Sequence, residues 1–192
     1  MENIILRTLV ISLLIARTIY WRISEIKADA AKPKTQKRTS LIVVHILIRN
    51  ALNVLVVMQL LGLNILSFKH EMSTELLGTI ICVLAVLCSF LGRKALGLNW
   101  TDSAESQIKM KHSLVTNGIY KFIRHPIAVG YSFFIIGVEL LVGSWLVIPF
   151  AIGLLVGGYV QSRKEEAILT REFGGSHVSY MTRTKMFIPY IF

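Results

Sequence analysis

The chain has 192 residues, of which 54% are apolar and 17% charged, with a formal net charge of +10. Its positive mean hydropathy exceeds what one soluble domain of this length can bury, which argues against a soluble globule and points to a bilayer. The positive charge does not read as a nucleic-acid surface, because the basic residues lie between apolar runs rather than along one polar face.

The first apolar run, Ile4–Ile23, carries Tyr20-Trp21-Arg22 at its end, an interfacial anchor. No A-x-A-like cleavage site follows, so a retained span is predicted rather than a signal peptide. Arg7 and Arg17 are placed toward the ends of this span, where long stems snorkel to water. Ala28–Ser40, polar with Pro33 and several lysines, reads as a linker. The second run, Leu41–Phe68, holds His45, Arg49 and Asn53 at i, i+4 and i+8, on one helical face. That face reads either as the lining of a substrate or cofactor cavity or as an interhelical hydrogen-bond seam. The third run, Thr74–Leu96, contains Cys82 and Cys88, which lack metal-motif spacing and read as free thiols.

After the polar stretch Asn99–Asn117 comes the apolar run Ile127–Gln161, interrupted at Gly143-Ser144. As one helix it would be about 52 Å long, too long for one crossing of a ~30 Å core. Two short helices folding back at Gly143 are predicted. Glu139 falls near the outer end of the first and is placed at the interface. Small residues on both (Ala128, Gly130, Ser132 and Gly137; then Gly153, Gly157 and Gly158) predict close packing of this hairpin. Glu165–Phe173 has helical spacing and ends at Gly174-Gly175. Phe187–Phe192 is apolar enough to lie on a membrane surface.

The predicted fold is all-α: a polytopic membrane protein with five transmembrane helices, the last two a tight hairpin, plus a cytoplasmic cofactor pocket. It is read as a single integral membrane domain over 1–192, with three spans in 1–97. The remaining 98–192 supply a cofactor-binding loop, the hairpin and a C-terminal cytoplasmic segment. Basic residues cluster in alternate loops: Arg22 to Arg38, then Arg93 to Arg124, then Arg163 onward, with only Lys69 between spans two and three. The positive-inside rule then puts the N-terminus outside and the C-terminus in the cytoplasm.

The segment richest in chemistry is Lys111–Pro126. Pro126 suits the first position of a helix. Arg124 and His125 therefore precede a helix N-terminus, where free N–H groups and Arg124 would form an anion site. Gly118 allows a tight turn on the approach. The hairpin brings Arg163-Lys164-Glu165-Glu166 beside Arg124-His125, a mixed-charge pocket suited to a zwitterionic cofactor. By charge alone, a basic loop touching lipid headgroups explains the first segment, and surface ion pairs explain the second.

Leu114-Val115-Thr116-Asn117-Gly118-Ile119-Tyr120, then Arg124-His125-Pro126-Ile127-Ala128-Val129-Gly130, then Glu165-Glu166, Phe173-Gly174 and Tyr180 resemble the C-terminal signature of the isoprenylcysteine carboxyl methyltransferases. Related phospholipid methyltransferases share the pattern. The resemblance covers about Lys111–Pro189 and implies S-adenosylmethionine as cofactor. It implies that His112, Leu114, Val115, Gly118 and Tyr120 surround the cofactor together with Arg124, His125, Pro126, Glu165 and Glu166. It implies catalytic roles for Glu166 and for Arg163, which would orient a substrate carboxylate. The family often has its arginine slightly earlier, where this chain has Gln161, and usually has Tyr where this chain has Ala128, a change that would either enlarge the pocket or pass the aromatic role to Tyr131. The implied acceptor is a prenylated cysteine or similar lipid-like molecule at the bilayer, with neither metal nor nucleic acid involved. Two other readings remain: a membrane-embedded NADPH-dependent sterol-type reductase, disfavoured because Glu165-Glu166 would repel a polyphosphate, and a non-catalytic membrane scaffold or channel.

Overall fold

Five long helices form where the apolar runs predict them: α1 (Ile4–Asp29), α2 (Ser40–Leu60), α3 (Met72–Leu96), α4 (Pro126–Leu141) and α5 (Val147–Phe173). A short α6 (Gly175–Arg183) follows. They are seen in a computed structural model that describes residues 3–29, 40–69, 71–99 and 113–191. His112 and most of the stretches Ala28–Ser40 and Asn99–Asn117 lie outside the described residues, as does the side chain of His45. No strand occurs among the described residues; two isolated bridges join Ser67 to Ser144 and Ile123 to Lys185.

Large apolar side chains face outward along the helices, among them Ile15 and Ile19 on α1, Leu47 and Val54 on α2, Leu84 and Leu87 on α3, and Ile152 and Leu155 on α5. An exterior of this kind suits hydrocarbon rather than water. By length and composition, α1 over Ile4–Ile26 and α3 can each cross a membrane, and α4 is a shorter apolar helix.

Helices α3 and α4 make the closest contact in the molecule. A Cβ on Gly78 would sit 2.5 Å from the Gly137 carbonyl oxygen, and one on Gly130 would sit 2.6 Å from the Ala85 carbonyl oxygen. The backbones therefore touch because these positions lack side chains. Val10, Val56, Cys82, Phe134, Ile135 and Val138 fill the core around this crossing. The small residues of α4 thus pack against α3 and not, as predicted, against α5. Gly153, Gly157 and Gly158 of α5 would meet nothing within 4 Å. Sequence periodicity marks a small-residue face but does not name its partner.

The hairpin turns at Gly143, whose φ of +63° is the left-handed conformation that favours glycine. Helix α2 stops at Leu60 rather than Phe68 because Gly62 (φ +108°) reverses the chain. The released segment caps the hairpin: Phe68 N–H donates to the Gly143 carbonyl at 2.8 Å, and Trp145 N–H to the Leu66 carbonyl at 3.0 Å. Glu165–Phe173 is not a separate helix. It is the far end of α5, whose 27 residues run about 40 Å before Gly174 ends them.

Three charged residues turn inward where snorkelling or interfacial placement was expected. Arg7 is buried and donates to the Gln59 carbonyl at 3.3 Å. Gln59 Nε2 donates in turn to Glu139 at 3.1 Å, and Glu139 is fully buried. Arg17 stacks its guanidinium 5.0 Å from the Trp21 ring centroid. Each finds its partner on the inner face of its helix, so the long stem has no need to reach water.

Because the α3–α4 crossing has no room for a methyl group, Gly137→Ala is expected to cost about 1–3 kcal/mol. Gly157→Ala is expected to be neutral or slightly stabilising. Thermal unfolding in detergent, run side by side, checks the difference.

Candidate active site

Below the first turn of α4 the chain approaches through a 3₁₀ turn, Gly118–Lys121. Gly118 adopts φ +59°, as the tight turn predicted for it requires. The next residues run alongside the segment after α6. Arg124 N–H donates to the Lys185 carbonyl at 2.9 Å, and His125 N–H to the Met186 carbonyl at 3.2 Å. The C-terminal segment therefore clamps Phe122–His125 in place. Pro126 then opens α4 and packs against Gly92 of α3.

Arg124 Nε donates to Glu166 Oε1 at 2.6 Å, with the Glu166 side chain buried and that of Arg124 nearly so. Its Nη1 donates to the carbonyls of Met181 and Thr184. His125 bridges the two acids, Nδ1 lying 3.4 Å from Glu165 and Nε2 3.5 Å from Glu166. The hairpin does bring Arg124-His125 against Glu165-Glu166. The expected bare anion site is corrected by this geometry. The Arg124 guanidinium is already neutralised by Glu166, and the N–H groups of Arg124 and His125 are spent on the C-terminal segment. What stands there is a buried ion cluster.

Its electrostatics are mutually reinforcing. Burial alone would lower His125, but the carboxylates of Glu165 and Glu166 beside its ring outweigh it and hold the imidazole above its ordinary value. Burial alone would raise Glu166, but hydrogen bonds from His125 and Arg124 hold its carboxyl below the usual range. Burial pushes the Tyr180 phenol up to about 12, so it stays a donor, and its hydroxyl donates to the Tyr120 carbonyl at 2.8 Å.

Leu114, Val115 and Tyr120 line a cleft with Arg124, His125 and Glu166; Leu169, Phe173, His177 and Tyr180 close its far wall. The cleft encloses about 90 Å³ and is open on one side. Of the other predicted residues, Pro126 is buried at the α4 end behind His125, and Glu165 accepts from Gln161 at 3.2 Å. Arg163 does not line the cleft. Its side chain is 63% exposed, with Nη1 3.7 Å from Glu166 Oε2.

His177 is the residue that sequence reasoning missed. Gly174 (φ +53°) folds α6 back beneath α5. His177 is then buried, its Nδ1 is 2.8 Å from the Thr170 hydroxyl, and its Nε2 has no hydrogen-bond partner. His177, Tyr180 and Thr184, at i, i+3 and i+7, form the buried face of this short amphipathic element. That spacing was the available signal.

The ion cluster sets a pH window. The stabilisation from His125 is complete below its ordinary 6.5 and is lost as pH rises through its raised value. That from Glu166 is complete above its ordinary 4.5 and is lost as pH falls through its depressed value. Melting temperature is expected to peak between 4.5 and 6.5, and His125→Gln should remove the alkaline fall while leaving the acid one. Glu166→Gln, which strands Arg124 and His125 without a counter-charge, is expected to cost about 3 kcal/mol in the same measurement.

The sequence profile of the phospholipid methyltransferase family matches residues 73–176, from α3 to the start of α6. The protein-S-isoprenylcysteine O-methyltransferase of Schizosaccharomyces pombe is 32% identical over 97 residues, half of this chain and 41% of that protein. That of Saccharomyces cerevisiae is 26% identical over 128 residues, 65% of this chain and 54% of the relative. The chain thus spans about half the length of these relatives or less. A solved eukaryotic intramembrane Ras methyltransferase, isoprenylcysteine carboxyl methyltransferase, shares the fold with a TM-score of 0.57 at 18% identity, covering 90% of this chain and 53% of that one. The resemblance read from Leu114 to Tyr180 is thus borne out, and the match over more than half its length shows that the chain belongs to the phospholipid methyltransferase family.

Proposed function

We propose that this protein transfers a methyl group from S-adenosylmethionine to the carboxylate of a prenylated cysteine or a similar lipid-like acceptor, at the membrane–cytoplasm interface. The observation that carries the reading is the Arg124–His125–Glu166 cluster, with Glu165 against His125, on the wall of a cleft otherwise lined mostly by apolar and aromatic residues. It is supported by membership of the family and by the names of the relatives.

The residues present suit the cofactor. Glu166 Oε2 and His177 Nε2 are buried polar atoms without a hydrogen-bond partner, and a hydroxyl or ammonium group would satisfy them. Tyr120, Phe173 and Tyr180 offer aromatic faces to a cation, and Leu114, Val115 and Leu169 an apolar bed for a flat ring. His112, Gly118 and Pro126 complete the proposed set as neighbours of this lining. S-adenosylmethionine, when bound, supplies a methyl group on a positively charged sulfur.

A carboxylate is ionised at neutral pH, so no side chain need act as general base. The task of the protein is to position the carboxylate, strip water from it and keep it unprotonated. Glu166 would hold the cofactor side. Arg163 would steady the acceptor from the water side, since its exposed stem leaves it free to swing. The same reading takes α1 to α5 as five crossings, with the N-terminus outside and the cleft in the cytoplasm, in line with the loop charges. A nicotinamide-dependent reductase is disfavoured because the Glu166 carboxylate on the cleft wall, with Glu165 close by against His125, would repel a polyphosphate.

Protein in lipid discs is expected to move label from S-adenosylmethionine to N-acetyl-S-farnesylcysteine, and to bind S-adenosylhomocysteine in preference to NADPH. Glu166→Gln should lower kcat/KM about 100-fold. No transfer together with no S-adenosylhomocysteine binding overturns the reading.

A further inference from the structure

Backbone hydrogen bonds tie the segment after α6 to the motif that builds the cleft. The Arg124 and His125 N–H groups donate to the Lys185 and Met186 carbonyls, and Lys185 N–H donates back to the Phe122 carbonyl at 3.3 Å. Arg124 Nη1 adds a bond to the Thr184 carbonyl, and the Phe187 ring centroid lies 6.1 Å from that of His125. Thr184 and Met186 are buried and Lys185 between them is exposed, as a strand-like stretch with one covered face requires. On the partner stretch Ile123 is buried, whereas Phe122 is half exposed. The inner side of this pairing therefore holds the site, and its outer side is bare.

The outer side combines two kinds of side chain. From Phe122 and Lys185 the surface continues through Ile188, Tyr190 and Ile191, all exposed. Lys121, Arg183 and Lys185 stand among them, also exposed, and no Asp or Glu occurs from Gly174 to Phe192. Water disfavours such rings and branched apolar groups. A bilayer boundary suits both kinds, because apolar and aromatic groups sink to the headgroup level while Lys and Arg reach anionic phosphates. The level also fits. Helix α4 is apolar from Pro126 onward, and α5 loses its apolar character at Gln161, so the edge of the hydrocarbon layer passes beside Phe122. The apolar exterior of the hairpin thus runs on into this patch. A second copy of the chain is a poorer occupant, because a symmetric contact would set the basic patch against itself.

We propose that Lys121, Phe122, Arg183 and the segment Lys185–Ile191 form a docking surface for the anionic headgroup layer of the membrane, and that this contact tightens the clamp on Arg124 and His125. A surface that binds only the paired form of the segment favours that form by mass action. Arg124 and His125 line the cleft, so the paired form is also the one with a complete cleft wall. Cofactor binding then follows the charge of the surrounding lipid. That last step rests on the function proposed above; the dock itself does not.

The test compares the full chain in phosphatidylcholine discs with the same chain in discs enriched in phosphatidylserine. Amide hydrogen exchange over Phe122–His125 and binding of S-adenosylhomocysteine are read in both. Exchange at the Arg124 and His125 amides is expected to slow about fivefold in the anionic discs, the scale of one basic side chain at a charged membrane surface. S-adenosylhomocysteine should bind at least about twofold tighter there, and high salt should cancel both effects. Tyr190→Ser with Ile191→Ser, and Lys121→Gln with Arg183→Gln, should each lose the response to phosphatidylserine while binding S-adenosylhomocysteine in phosphatidylcholine as wild type does. Equal exchange of wild type in the two discs overturns the dock even where a variant fails to fold, and a full response in either double variant does the same. A response that follows protein concentration rather than lipid would assign the patch to a second copy and overturn the lipid assignment. Slower exchange with unchanged S-adenosylhomocysteine affinity would overturn the coupling to the cleft. If exchange responds but S-adenosylhomocysteine binds in neither disc, the dock stands and the proposed cofactor falls.

Discussion

The pair between Arg124 and Glu166 sets the dimensions of the hairpin. The two residues are 42 positions apart, yet their side chains meet at 2.6 Å, largely withdrawn from water. For that to happen α4 must rise and α5 must return by matching amounts. From Pro126 to Leu141 the rise is about 22 Å, and from Val147 the same descent reaches Ser162. One further turn brings Glu166 below the level of Pro126, where Arg124 waits. A single residue added to either helix would turn Glu166 by about 100° and leave two buried charges unpaired. The tight Gly143 turn is thus a requirement of the site as well as of the fold.

Helix α3 supplies the other fixed coordinate. It presents Gly78 and Gly92, together with the backbone around Ala85, to α4, so the helices settle at the distance of backbone contact. Flexible side chains between them would allow a range of heights; bare backbone allows almost none. Gly92 meets the Pro126 ring, and the Cys88 thiol donates to the Pro126 carbonyl at 3.3 Å. The position of His125 follows from that of Pro126. The C-terminal segment then closes on Phe122–His125 from the other side. Although far apart in the chain, α3 and the residues after α6 hold the same short motif from opposite faces.

This explains what could be read from the sequence. Helices α1, α3, α4 and α5 were legible because apolar runs and the break at Gly143 are local properties. The pairing of Arg124-His125 with Glu165-Glu166 was legible because a hairpin fixes which of its residues meet. The early end of α2 was not, since Leu61–Phe68 is apolar enough to continue but leaves the helix where Gly62 reverses the chain and then pairs with the hairpin turn. Nor was the inward turn of Arg7, Arg17 and Glu139, because hydropathy records the cost of a buried charge but not the partner that offsets it. His177 escaped because the spacing with Tyr180 and Thr184 marks a buried face but not what that face is turned toward, which depends on how Gly174 directs α6.

The distribution of charge bears on the chemistry. The cleft wall carries the Glu166 carboxylate against the Arg124 guanidinium and the His125 imidazole, and a cationic donor placed there would meet Glu166. The layer beyond it, toward the apolar interior, is held by arginines and aromatic rings. A reaction between a carboxylate and a sulfonium destroys one charge of each sign and leaves two neutral products. Water opposes such a step by solvating the reactants better than the transition state, whereas a dry site at the edge of a bilayer does not. The two reactants would still have to be brought out of water while charged, and each needs a counter-charge on the way in. Under the proposed reaction Glu166, on the cleft wall, would be the counter-charge for the donor. On the proposed reaction the site would stand where polar and apolar layers meet because its two ligands would carry opposite charge.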